Sequence, residues 1–274
     1  LAVDFNIFSS RDQVYVSLSG LQENFLPAVH LLESPLHDPK TDKEALDKMV
    51  ASKIKERNDA TLNRRNIFMQ GLSAYVAYGP VNPFNDVLSN ADMRAIRPEE
   101  LTGIIKSLPR YKHRVYYYGP KNAAEITAEL KKTHKTPSKL NASPAEKQYQ
   151  PQYPKESVIY FVDYDMVQAE IAMQRWDQPF DVSLLPMVSA FNEYYGGGMG
   201  SVVFQDIRES KALAYSAYSV FSRPNKKSMP YSALFYVGTQ ADKLPEAMAA
   251  VTELLNTIPE SEKLWEVGRH SIRQ

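Results

Sequence analysis

FNEYYGGGMGSVVFQDIRESKALAY, residues 191–215, is the stretch on which the reading of this chain turns. An apolar helical pattern running to Tyr194 meets Gly196, Gly197, Gly198 and Gly200, and a short amphipathic run over 202–209 follows. Glycines in that position are expected to cap the first helix and form a tight turn, taking φ > 0 without steric cost. Ser201 is placed to cap the next helix. That helix carries Arg208, and Tyr215 stands seven positions later at the start of an aromatic-rich strand pattern. A guanidinium and a phenol at fixed separation can grip one carbonyl or carboxylate. Taken alone, an Arg near a helix end is usually solvated or ion-paired, here with Glu209 or Asp206, and a Tyr in a strand is usually amphipathic core.

Working outward, the glycine run is not a phosphate loop. A P-loop follows a strand and ends in Gly-Lys-Ser/Thr, whereas this run follows a helix and ends in GSVVF. Residues 157–274 read as strand 158–164, strand 167–176, helix 182–194, the glycine turn, helix 202–209, strands 214–221 and 231–237, and helices 243–255 and 260–273. The polar loop SRPNKKSMP joins the last two strands in the manner of a hairpin. The aromatics of those strands are expected mostly in the sheet core, with an edge strand there able to pair with an extended peptide. Asp163, Asp165 and Glu170 are read as solvated.

Upstream, GLQENFLP (20–27) repeats as GTQADKLP (238–245), an offset of 218 without a gap that preserves Gly, Gln, Leu and Pro. The same offset sets Leu46, Met49 and Ile54 opposite Leu264, Val267 and Ile272. Strand-like DQVYVSLSG and YSALFYVG precede the two copies. The repeat implies two related domains in series: the C-terminal part of a first over 1–120 and the N-terminal part of a second over 157–274. The Pro-, Ser- and Lys-rich residues 121–156 read as a linker. The first piece is expected to hold a strand at 3–9, a strand at 13–19, helices at 22–32, 42–57, 65–75 and 98–106, and a closing strand HRVYYYG at 113–119. Together these give an α+β fold, a mostly antiparallel sheet with helices packed on one face, in two repeated and apparently truncated units. Two incomplete pieces could complement one another by self-association.

With 32 Lys+Arg against 32 Asp+Glu, the formal charge is zero and lacks the basic excess of a nucleic-acid binder. No cysteine is present, which removes thiolate metal sites and cysteine nucleophiles. No apolar run reaches the ~18 residues of a membrane span. No GXSXG elbow occurs. The five histidines, His30, His37, His113, His134 and His270, form neither HEXXH nor HXXEH, since Ser34 stands where a second His after Glu33 would be. No metal site is expected in this chain.

YYGGGMGSVVFQDIRESKALAYS resembles the C-terminal-half signature of the pitrilysin/insulin-degrading family of zinc metallopeptidases. In that family a glycine turn leads to a helix ending in an Arg-Glu or Arg-Thr pair, with a Tyr seven residues after the Arg. Arg208, Glu209, Leu213 and Tyr215 match, while Ala214 replaces the usual Gly. The resemblance implies four similar domains in two halves, with HXXEH and zinc in the missing N-terminal half. It implies that Arg208 and Tyr215 bind substrate and transition state, and that this chain alone is inactive. The implied partners are a peptide substrate and the N-terminal zinc-bearing half or partner subunit, in the periplasm or cytoplasm of a bacterium. The competing expectations are a non-catalytic structural or partner subunit of the same fold and a plain peptide-binding module.

Overall fold

The computed structural model describes residues 2–10, 13–224 and 226–273. It divides into two units, 1–162 and 163–274.

In the first unit, β1 (Val3–Ser10) runs antiparallel to β2 (Gln13–Gly20), from Val3 opposite Gly20 to Ser10 opposite Gln13. The two residues between them lie outside the described set. A short 3₁₀ turn, Gln22–Asn24, leads into α1 (Phe25–His37). Then come α2 (Lys43–Ala60), whose Asp42 side chain accepts from the Ala45 amide, and α3 (Arg64–Asn66). A π-helical turn, Ile67–Leu72, continues into α4 (Ser73–Tyr78). α5 (Asn90–Ala95), α6 (Pro98–Ser107) and α7 (Ala123–Thr133) follow. α7 is opened by a capping box between Asn122 and Glu125. Its sequence falls in the stretch expected as linker.

The second unit is organised by period-2 burial along β5 (Pro230–Gln240): Tyr231, Phe235, Val237 and Thr239 are all buried. β5 is the centre of a three-stranded antiparallel sheet, between β3 (Gln168–Pro179) and β4 (Ser216–Ser222). Helices α8 (Leu185–Tyr195), α9 (Leu244–Asn256) and α10 (Glu262–Arg273) complete the unit. The core joins Tyr195 of α8, Val202, Val203 and Ile207 of the following helical segment, Phe235 and Val237 of β5, and Ala247, Val251 and Leu254 of α9. α10 crosses α8 closely at Gly268, where a Cβ would sit 3.3 Å from the backbone of Glu193 and Tyr194.

The fold is α+β with antiparallel sheets, as the sequence indicates. In both repeat copies a strand ends, a 3₁₀ turn intervenes, and a helix follows with Leu-Pro in its first turn: Leu26–Pro27 in α1 and Leu244–Pro245 in α9. A third instance, Val182–Leu184 into α8 at Leu185–Pro186, lies between β3 and α8. Proline suits the first helical turn because no intrahelical N–H bond is lost there.

Two expected strands are absent. Residues 113–119 and 158–164 are irregular despite their β-branched and aromatic content. Tyr118, Ile159 and Phe161 are almost fully exposed. A strand needs a neighbouring backbone to pair with, and composition alone supplies none.

Tyr195 gives the second unit an alkaline limit. Its ring is buried and its hydroxyl donates to the Leu254 carbonyl at 2.8 Å, while burial pushes the phenol up to about 12 from the usual 10. A folded-state value above the unfolded one contributes stability below pH 10, and that stability is lost as pH rises from about 10 towards 12. Urea unfolding of the wild-type chain should therefore weaken over this window more steeply than that of Tyr195→Phe. Parallel profiles would show that Tyr195 is not the linked group.

Candidate functional site

The glycine turn at the end of α8 is shaped by close approach. Gly196 has φ −139°, and Gly79 is the sole glycine with positive φ among the described residues. The expectation of left-handed glycines is thus corrected. A Cβ on Gly196 would lie 2.6 Å from both the amide nitrogen and the carbonyl carbon of Ser219, and nearer still to its oxygen. A Cβ on Gly200 would lie 2.6 Å from Cγ1 of Val267 on α10, whereas Gly198 faces open space. The Ser201 hydroxyl donates to the Gly198 carbonyl at 2.7 Å, so it closes the turn and does not cap the helix beyond.

The same junction covers the outer edge of β4. The Ser219 amide approaches the Gly196 carbonyl at 3.4 Å, and Asn192 of α8 makes a two-way clamp on Phe221, accepting its N–H at 2.7 Å and donating to its carbonyl at 2.9 Å. β5 is paired on both sides. Peptide pairing at these aromatic strands is therefore blocked at Ser219 and Phe221, and along β5. Most of the aromatics are packed: Tyr231 is fully buried and stacks on Phe221 at 5.3 Å, and Tyr218 stacks on Tyr236 at 5.0 Å.

Beyond the turn, Val202, Val203 and Ile207 anchor the helical segment in the core, and residues 204–210 are π-helical. A π segment widens the turn and is frequent at functional sites. Arg208 lies on the exposed side. Its guanidinium carbon sits 4.8 Å above the Phe204 ring, and its Nε is 3.7 Å from Glu209. Asp206 pairs instead with Lys211 at 2.8 Å and holds that ammonium above its usual pKa. An exposed pair as long as that to Glu209 holds an arginine only weakly.

Residues 211–215 are fixed at nearly every step. The Leu213 amide donates to Ile207 O at 3.0 Å, Lys243 Nζ to Ala212 O at 3.3 Å, the buried Thr239 hydroxyl to Leu213 O at 2.6 Å, and the Tyr215 amide to Gly238 O at 3.0 Å. Ala212 takes φ 49°, a left-handed conformation that costs a non-glycine residue about 1 kcal/mol. From this base the Tyr215 ring projects outward, 57% exposed, and its oxygen accepts from Gln240 Nε2 at 2.8 Å.

Arg208 and Tyr215 thus share one rigid segment and are both exposed, but each is tied to a different neighbour. Asn192, Thr239 and Gln240 were not singled out from the sequence as site residues. Gln240 alone carried a signal, as the repeated Gln of GTQADKLP. Its counterpart Gln22 also meets a tyrosine, accepting from the Tyr117 hydroxyl at 2.7 Å.

The donor chemistry does not fit a zinc ion, because the described residues contain no group of three His, Cys, Asp or Glu able to hold a metal. No described helix is long and apolar enough to cross a membrane.

The chain is thus a two-unit α+β fold with an exposed Arg208/Tyr215 segment following a closely packed glycine turn. By sequence comparison, residues 114–269, more than half of the chain, match the peptidase M16 inactive domain. The chain belongs to that family. An uncharacterized zinc protease, YmxG of Bacillus subtilis (strain 168), is 40% identical over 67 residues, covering 24% of this chain and 16% of the relative. Among solved structures, the peptidase M16 inactive domain from Pseudomonas fluorescens is similar over 99% of this chain and 66% of its own, with TM-score 0.61 and 17% identity. The periplasmic protease PqqL from Escherichia coli is similar over 99% of this chain and 30% of its own, with TM-score 0.70 and 14% identity. A protease from Helicobacter pylori gives 0.65 at 15% identity, over 99% and 66%. At such identities the structural likeness speaks for the fold alone. The chain spans less than two thirds of the length of each of these relatives.

Proposed function

We propose that this chain is the accessory, substrate-binding half of a zinc metalloendopeptidase, itself without the zinc motif, with residues 1–120 and 157–274 as parts of two related domains. Zinc and its activated water belong to the other half of the protein, as a domain of the same polypeptide or a separate subunit. One observation carries the reading: Arg208 and Tyr215 project from a segment bolted to the core at Ile207, Leu213 and Tyr215, and neither is consumed by a strong internal ion pair.

In this reading the planar fork of Arg208 holds a carbonyl or terminal carboxylate of the bound peptide on one side of the scissile bond. Tyr215 donates its phenolic hydrogen bond to the oxyanion that develops from the scissile carbonyl. Because Gln240 Nε2 donates to the phenol oxygen, the Tyr215 O–H is left free to point outward. Peptide hydrolysis by the assembled protein tests the assignment. Arg208→Ala and Tyr215→Phe should each lower turnover while zinc content stays at the wild-type level. Unchanged kinetics in both variants would refute it, and would favour the non-catalytic structural or partner subunit.

A further inference from the structure

The first unit contains a second cluster of titratable groups that the proposed peptidase role does not use. Glu33 of α1 is 7% exposed. Its Oε1 lies 2.6 Å from Nδ1 of His134, the residue that caps the C-terminus of α7 through its amide to Leu130 O. Nε2 of His134 lies 2.9 Å from Nε2 of His113, and Nδ1 of His113 lies 2.7 Å from the Tyr111 carbonyl. The two rings meet edge to face, with centroids 4.9 Å apart.

The chain Tyr111 O, His113, His134, Glu33 has three gaps, and each gap needs one proton. A carbonyl only accepts, so His113 must donate from Nδ1. One of the two facing Nε2 atoms must donate to the other. The gap between His134 and Glu33 also needs a hydrogen, from the ring or from a carboxylic acid. Two neutral imidazoles and a carboxylate bring only two protons. We propose that these residues form a one-proton clasp, a linear array that closes only when it holds one proton beyond the neutral-imidazole state and that ties α1 to the C-terminal end of α7.

The neighbouring charged groups are engaged elsewhere. On α1 itself, His37 Nε2 stands 3.3 Å from Glu33 Oε2, and that oxygen has no hydrogen bond of its own. The Glu129 carboxylate of α7 pairs with Lys121. Lys40 holds Asp38 below the ordinary carboxylate range, with a smaller pull from Lys106 of α6. The described residues hold no metal-ligand set. A shared proton is the species of the right size and charge for the gaps.

Glu33→Gln separates this from an ordinary buried ion pair. The glutamine amide can donate to His134 Nδ1 and fill the third gap with both imidazoles neutral. Isotope-edited NMR of Glu33→Gln should therefore count two ring protons, one on each imidazole. In the wild type, isotope-edited NMR of the two rings and the Glu33 carboxyl at pH 7.5 should count three protons in the array. Two protons in the wild-type array would overturn the proposal. The NMR count needs no variant to fold.

Discussion

Gly196→Ala should unfold or severely weaken the second unit, at a cost of about 3 kcal/mol or more, the upper range for overpacking a close backbone contact. The added methyl would meet the backbone of Ser219 at 2.6 Å or less. That backbone has nowhere to retreat. β4 is hydrogen-bonded to β5 on its inner edge, and on its outer edge the Asn192 clamp holds Phe221. Shifting β4 would also disturb Tyr195 and Ala217 in the core. Against a typical domain stability of about 5–15 kcal/mol, such a cost is a large fraction of the whole. Gly198→Ala is the internal control: its Cβ meets nothing within 4 Å and its φ is not positive. It should change stability by no more than about 0.5 kcal/mol. Thermal or urea unfolding of the two variants decides the point, and similar costs for both would contradict the close-approach account.

The second large effect is kinetic. Tyr215→Phe in the assembled peptidase should lower kcat by about 10²-fold, the loss of one preorganised donor to a developing oxyanion. An interaction made only in the transition state lowers kcat and kcat/KM together. Arg208 should behave differently, because in the proposed role it would hold a group of the substrate before and during reaction. Arg208→Ala should raise KM as well as lower kcat, and Arg208→Lys should rescue little, since an ammonium lacks the planar fork. Neither change should disturb folding: both side chains are exposed, and the bonds that fix their segment come from the backbone, Thr239 and Lys243. Melting temperatures close to wild type would therefore accompany the kinetic losses. A matched fall in stability would reassign both residues to structural roles.

What could be read in the sequence, and what could not, follows from the range of the interactions concerned. The α+β class, the hairpin strands of the second unit and the Leu-Pro helices rest on local periodicity and capping, and these lie in the residues themselves. The strands expected at 113–119 and 158–164 failed because pairing is non-local: YYY and VIYFV have strand composition, yet no described strand lies alongside to bond them. The glycine run was recognised as a turn for the wrong reason. A string of glycines looks the same whether it serves positive φ or the approach of a distant strand, and only the position of Ser219 distinguishes the two. Asn192 and Thr239 carried no signal, because their partners, Phe221 and Leu213, lie 29 and 26 residues away. Arg208 and Tyr215 were singled out by their spacing together with the family resemblance, and both side chains are exposed.

Zinc content and peptide cleavage, measured on this chain alone and again with the zinc-bearing half supplied, test the division of labour most directly. The account predicts no stoichiometric zinc and no cleavage by the isolated chain, with hydrolysis restored on assembly and dependent on Arg208 and Tyr215. Stoichiometric zinc bound by the isolated chain, or peptide cleavage without the other half, would contradict it.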